Sequence, residues 1–248
     1  MFLDRKTLRK VPQLTIFFWI IKLLSTALGE STSDYLVFHI NPYIAVALGA
    51  TGFLIALLLQ LFVKRYVAWT YWLTVVMVAI FGTMAADVLH VALGISYTIS
   101  SVFFSVSLAV IFTAWYVIEK TLSIHSIVNL RRELFYWATV MATFALGTAL
   151  GDLTAATFGL GYLLSGILFG VIFVIPAIGF KYLKWDAIFA FWFAYVITRP
   201  LGASFADYFG KPILGGLGLG DEIVSAVLAV LIIIFVIYLS ISHKDTNQ

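Results

Sequence analysis

Four times along the chain a tryptophan is followed ten residues later by a glycine and five residues after that by an aspartate. The sets are Trp19, Gly29, Asp34; Trp72, Gly82, Asp87; Trp137, Gly147, Asp152; and Trp192, Gly202, Asp207. The tryptophans are 53, 65 and 55 residues apart, about the length of one helical hairpin. Repetition at such a period means one supersecondary unit used four times. The units run approximately over residues 11–63, 66–118, 131–181 and 185–241, and the longer middle step is absorbed by a loop over 119–132.

Each unit contains two apolar runs of about 20 residues, the length that crosses roughly 30 Å of hydrocarbon. They are Val11 to Gly29, Pro42 to Val63, Ala68 to Asp87, Ser96 to Ile118, Leu134 to Asp152, Gly159 to Phe180, Ala187 to Asp207 and Ile223 to Ile241. With 62% apolar and 11% charged residues, a water-soluble domain of this size is excluded. Lipid offers the backbone no hydrogen-bond partners, so the runs must be helices, and the alternating segments of a membrane barrel are absent. The expected fold is all-α: a polytopic bundle of eight transmembrane helices in a single membrane domain over residues 1–248. Two helices per unit send successive units into the membrane in the same direction, which gives four parallel repeats with pseudo-symmetry about the membrane normal.

Short cytoplasmic loops collect Lys and Arg. Arg5, Lys6, Arg9 and Lys10 precede the first run; Lys64 and Arg65, then Lys120, Arg131 and Arg132, then Lys181 and Lys184, and finally Lys244 follow at every second turn. Only Lys211 falls on the other side. Both termini are therefore expected in the cytoplasm, and the net charge of +3 reads as a topology signal. No basic patch interleaved with aromatics argues for nucleic acid. The first run resembles a signal peptide in outline, but its pattern recurs three times within the chain, which assigns it to the bundle. Without cysteine there are no disulfides, thiolate metal sites or thiol nucleophiles.

Counted from each tryptophan, positions 0, 4, 7, 11 and 15 share a narrow sector of a helix. The stripes read Trp19, Leu23, Thr26, Glu30, Asp34; Trp72, Val76, Ala79, Thr83, Asp87; Trp137, Met141, Phe144, Thr148, Asp152; and Trp192, Val196, Arg199, Ala203, Asp207. Such a polar strip should face protein or water rather than lipid. Units 2 and 3 are the closest pair, since Gly94, Tyr97, Ser100 after Asp87 match Gly159, Tyr162, Ser165 after Asp152 in offset.

On these four skeletons, from Lys10 to about Leu239, the chain resembles a bacterial family of multi-pass membrane proteins. The family is described as four tandem repeats of unknown function, each with two transmembrane helices and a characteristic tryptophan. The resemblance implies the architecture and a bacterial inner (plasma) membrane location, and brings no activity with it.

Two readings of the aspartates stand side by side. Asp34, Asp87, Asp152 and Asp207 either form a ring of hard oxygen ligands at the outer mouth of a path, or each ends its helix and caps the next turn. Differences between units point further, because a pseudo-symmetric transporter needs one working site. Lys22, Glu30 and Arg199 are the deep charges. Lys22 lies twelve residues beyond Lys10 and Arg199 fifteen beyond Lys184, on the order of 20 Å along a helix. Both cations are expected to have carboxylate partners, Glu30 and the aspartates being available, either as an exchangeable network or as a fixed structural pair. Pro200 should kink the helix beside Arg199. The tryptophans read as interfacial anchors and the glycines as points of close helix approach, with broken helices at those glycines the sharper alternative. His39 and His90 read as loop residues rather than a metal site, and Asp221 and Glu222 suit a helix start.

The function expected is transport of a small cation, H⁺, Na⁺, Mg²⁺ or Mn²⁺, through an acidic pathway on the odd-numbered helices. Asp34, Asp87, Asp152, Asp207 and Glu30 are its candidate ion ligands, and Lys22, Arg199, Thr26, Thr83 and Thr148 its candidate pathway residues. A bound cation is the one cofactor in view, the partners are the bilayer and that cation, and a homo-oligomer stays open. The alternative is a membrane scaffold whose repeated positions are structural. No helical His-Glu motif, phosphate loop or nucleophile elbow marks an enzyme.

Overall fold

The computed structural model describes residues 9–246, apart from the side chains of Val91 and Ala92; Arg5 and Lys6 lie outside the described residues. It contains eight α-helices: α1 (Ile16–His39), α2 (Pro42–Phe62), α3 (Ala68–Asp87), α4 (Tyr97–Glu119), α5 (Leu130–Asp152), α6 (Gly161–Tyr182), α7 (Ala187–Gly210) and α8 (Asp221–Ser242). Local chemistry sets several starts. The side chains of Thr15, Asn41, Ser96, Asn129 and Asp186 accept backbone N–H bonds at the first turns of α1, α2, α4, α5 and α7, satisfying donors that a helix leaves open. After Asp87 and Asp152 the chain passes into single π-helical segments, Val88–Ala92 and Leu153–Thr157, at matching offsets in units 2 and 3.

Seven of the helices are long and apolar enough to cross a membrane, which marks a membrane protein; α1 is the exception. It starts five residues later than the apolar run and continues ten beyond Gly29. Residues 9–13 are drawn into other contacts: Tyr66 N donates to Arg9 O, Lys10 N to Ile127 O and Gln13 N to Asp245 O. Lys10 Nζ also lies 2.5 Å from Glu133 Oε2. These bonds bring the N-terminal segment, the α2–α3 and α4–α5 connections and the C-terminal tail to one end of the bundle. At its other end α1 runs on because Glu30 and Asp34 find cations inside the protein, so neither acid has to mark a helix end.

The odd helices pack in a closed ring, α1 on α3, α3 on α5, α5 on α7 and α7 on α1. Each even helix leans chiefly on the odd helix that follows it: α2 on α3, α4 on α5, α6 on α7, and α8 back on α1. Their outer faces are apolar and exposed, as at Leu54, Val106, Ile167 and Val230, suiting hydrocarbon and leaving no reason to bury them.

The repeated glycine builds the ring by the same contact four times. A Cβ on Gly29 would overlap Ala79, one on Gly82 would overlap Phe144, one on Gly147 Arg199, and one on Gly202 Thr26. Each partner stands seven residues after a tryptophan in the next unit, the last contact returning to unit 1. Small residues let backbones approach where lipid supplies no hydrophobic drive for association. All four glycines lie within unbroken α-helix, so the broken-helix alternative does not hold. The anchoring role of the tryptophans is overturned as well: Trp72, Trp137 and Trp192 are buried in the core and Trp19 is partly buried against it. The reason is that the odd helices line the inside of the ring, where a large ring system fills space between four backbones.

Candidate functional site

The aromatic residue before each tryptophan also turns into the ring. Phe18, Tyr71, Tyr136 and Phe191 are all buried and, with the tryptophans, fill the interior nearest the chain termini. Tyr71 and Tyr136 share a hydroxyl-hydroxyl hydrogen bond of 2.5 Å.

Beyond this aromatic layer lies Lys22, 1% exposed. Among the described residues its Nζ has no hydrogen-bond partner, and it stands 3.9 Å from the ring centroid of Phe144 and 4.1 Å from that of Tyr195. The expected carboxylate partner is absent among the described residues. Two ring faces take its place, because the nearest acids are already engaged by Arg199 and Lys211.

Arg199 is wholly buried and reaches across the ring. Its Nη1 donates to the carbonyl of Thr26 at 3.2 Å, and its Nη2 lies 2.6 Å from Glu30 Oε2 and 2.7 Å from Thr148 Oγ1, with Thr83 Oγ1 as a further partner. Thr83 and Thr148 each donate to the carbonyl four residues back in their own helix, which leaves their oxygen lone pairs free to accept from the guanidinium. One side chain from α7 thus binds α1, α3 and α5. The position eleven residues after each tryptophan supplies Glu30, Thr83 and Thr148, while unit 4 has Ala203 there and makes room. Pro200 sits inside a continuous α7, its ring also packed over Gly147.

Farther out, Lys211 Nζ lies 2.8 Å from both Asp34 Oδ2 and Asp207 Oδ1. Burial disfavours the Lys211 ammonium, but the carboxylates of Asp207, Asp34 and Glu30 outweigh it and hold its pKa well above the ordinary lysine value. Among the described residues, Glu30, Asp34 and Asp207 form the group whose carboxylate oxygens come within 4.8 Å of one another, close enough to share one cation.

The ring of four aspartates is therefore half realised. Asp34 and Asp207 meet at Lys211; Asp87 and Asp152 are partly buried, enter neither ion-pair network, and make no side-chain hydrogen bond among the described residues. Nor do they cap the turn ahead, since neither carboxylate accepts a cap hydrogen bond at its π-helical segment. The capping reading fails for all four, because the helix continues through each aspartate without presenting free N–H groups. His39 and His90 each bond a carbonyl through Nδ1, of Tyr35 and Ile95, and stack on Tyr35 and Tyr97.

Two participants escaped the sequence reading. Lys211 was passed over as the one exception to the charge rule, although its place four residues after Asp207 is the (i, i+4) spacing of a helical ion pair. The layer of Phe18, Tyr71, Tyr136 and Phe191 was legible as an aromatic before every repeat tryptophan.

One family of repeats, described as of unknown function, matches the chain four times, over residues 17–66, 70–121, 135–183 and 190–245. No curated protein and no solved structure matches it.

Proposed function

Because the chain belongs to the family described as Repeat of Unknown Function (DUF347), a description that assigns no activity, we propose from its side chains that it is an integral membrane transporter for a small cation. In this reading eight helices cross a bacterial inner membrane with pseudo-symmetry about the membrane normal and both termini in the cytoplasm. The observation that carries it is the convergence of Glu30, Asp34 and Asp207 on a place already held by the ammonium of Lys211. Carboxylates are costly at such depth and gather where a cation is handled. Lys211 then acts as an internal surrogate that a hard cation, H⁺, Na⁺, Mg²⁺ or Mn²⁺, displaces.

A transporter fits better than an open channel. Arg199 spans the ring, the aromatic layer fills one end and Lys211 bridges acids at the other, so passage requires these contacts to open in turn. In liposomes loaded with a panel of these ions, Asp34→Asn with Asp207→Asn is expected to weaken apparent ion affinity by about tenfold per charge removed, the equivalent of roughly 1.4 kcal/mol each. Unchanged flux in this double variant would refute the assigned site.

A non-transporting scaffold is the second reading, favoured by the saturation of Arg199 with partners on three other helices. It calls for no flux of any ion and for rescue of a charge-swapped Arg199 by a swapped Glu30.

A further inference from the structure

The end of the bundle that carries both chain ends gathers basic side chains, and three of them hold acids. Lys10 is paired with Glu133, and Arg131 and Arg132 share Glu119. Arg9 and Arg65 differ: among the described residues neither enters an ion pair, and both line one cavity of about 470 Å³.

Three stretches of chain build that cavity. Arg9 and Gln13 come from the N-terminal segment, Arg65 and Trp69 from the α2–α3 connection and the start of α3, and His243 and Asp245 from the tail after α8. The backbone bonds from Tyr66 to Arg9 and from Gln13 to Asp245 brace the three against one another. Asp245 is the one acid in the lining among the described residues, and it is engaged: it is 3% exposed, and its Oδ2 accepts from the Tyr66 hydroxyl at 2.5 Å. The Nε of Arg9, by contrast, is shut off from solvent and has no hydrogen-bond partner among the described residues. A buried donor left unpaired is costly, and an oxygen from a ligand would recover that cost. The charge of Arg9 also acts on its surroundings, since burial and then this guanidinium hold His125, in the α4–α5 connection, below the ordinary histidine pKa.

Two guanidinium groups and the exposed imidazole of His243 suit a tetrahedral oxyanion, because the planar fork of arginine matches phosphate oxygens two at a time. The volume falls within the roughly 300–1,000 Å³ common for small-molecule sites. The level suits a lipid as well: bilayer headgroups lie where the spanning helices end, and Trp69, 44% exposed, is a side chain favoured there.

We propose that this cavity binds a phosphate-bearing anion, clamped by Arg9 and Arg65, with His243 donating to the same group. The bound anion latches the N-terminal segment, the α2–α3 connection and the tail together. The site lies at the end of the bundle opposite Lys211 and does not rest on the transport reading.

Dioctanoyl phosphatidic acid, dioctanoylglycerol and inorganic phosphate are the probes, titrated against the purified protein in detergent by calorimetry. Phosphatidic acid should bind, and Arg9→Gln and Arg65→Gln should each weaken it by about tenfold or more, on the order of what one hydrogen bond to a charged group contributes. Arg131→Gln removes the same charge from the same end but outside the cavity, and should bind as the wild type does. Arg65 is exposed, so its variant tests the site even where Arg9→Gln fails to fold. Displacement by excess inorganic phosphate supports the site and makes its ligand a free phosphate compound; binding that inorganic phosphate does not displace supports it and makes the ligand a lipid headgroup. Three results would overturn it: no binding of either phosphate probe, dioctanoylglycerol binding as tightly as phosphatidic acid, or a loss in Arg131→Gln equal to that in Arg65→Gln.

Discussion

Glu30→Leu alone is expected to destabilise the protein by about 3–5 kcal/mol, the cost of stripping one partner from a buried ion pair. Arg199 is 0% exposed and its pairing with Glu30 Oε2 is the only charge neutralisation it has among the described residues. With Glu30 gone, two threonine hydroxyls and one carbonyl remain, which satisfy donors without cancelling the charge. Removing both partners should behave differently. In Glu30→Leu with Arg199→Met, Thr83 and Thr148 keep their bonds to their own helices, and neither charge of the pair is left without its partner. The double variant should recover most of the loss, since apolar replacement of a buried pair is often neutral or better. Reversible unfolding in detergent checks both. A single-variant loss below about 1 kcal/mol, the range of exposed pairs, would mean that water reaches the guanidinium.

A comparable loss is expected from closing one of the tight gaps in the ring. Gly147→Ala sets a methyl group against the Cβ and Cγ of Arg199 and the Cδ of Pro200. Overpacking of a tight site costs about 1–3 kcal/mol where neighbours can shift. Here they cannot shift cheaply: Pro200 is part of the backbone of α7 and Arg199 is held by three helices. Gly147→Val should prevent the ring from closing and yield no monodisperse protein. Gly170→Ala in α6 is the control, because its nearest neighbour is Leu201 Cδ1 at 3.8 Å. That change should be neutral or stabilise by up to about 1 kcal/mol through helix propensity. Equal behaviour of the two alanine variants would remove the steric explanation of the repeated glycine.

The repeat skeleton carried more of the architecture than of the site. Bounds for α2 to α8 fell within a few residues of the apolar runs because hydrophobicity and capping are local properties, read residue by residue. The first helix was misjudged at both ends because its limits depend on distant groups, Ile127 and Asp245 before it and Lys211 beyond it. The polar stripe placed Glu30, Thr83, Thr148 and Arg199 on one sector, and they do converge. The same stripe gave Asp87 and Asp152 equal standing with Asp34 and Asp207, yet among the described residues only the latter two form an ion pair, through the lysine that follows unit 4.

By itself the sequence determined the helices, their fourfold repetition, and which helix of each pair carries polar groups, for these follow from spacing along one chain. Tertiary structure alone decided the partners. Glu30 and Arg199 are 169 residues apart, and whether either finds the other depends on the ring closing through Gly202 against Thr26. It likewise decided that Lys22 meets aromatic faces instead of an acid, because buried charge is neutralised once per carboxylate and Arg199 and Lys211 had taken those within reach.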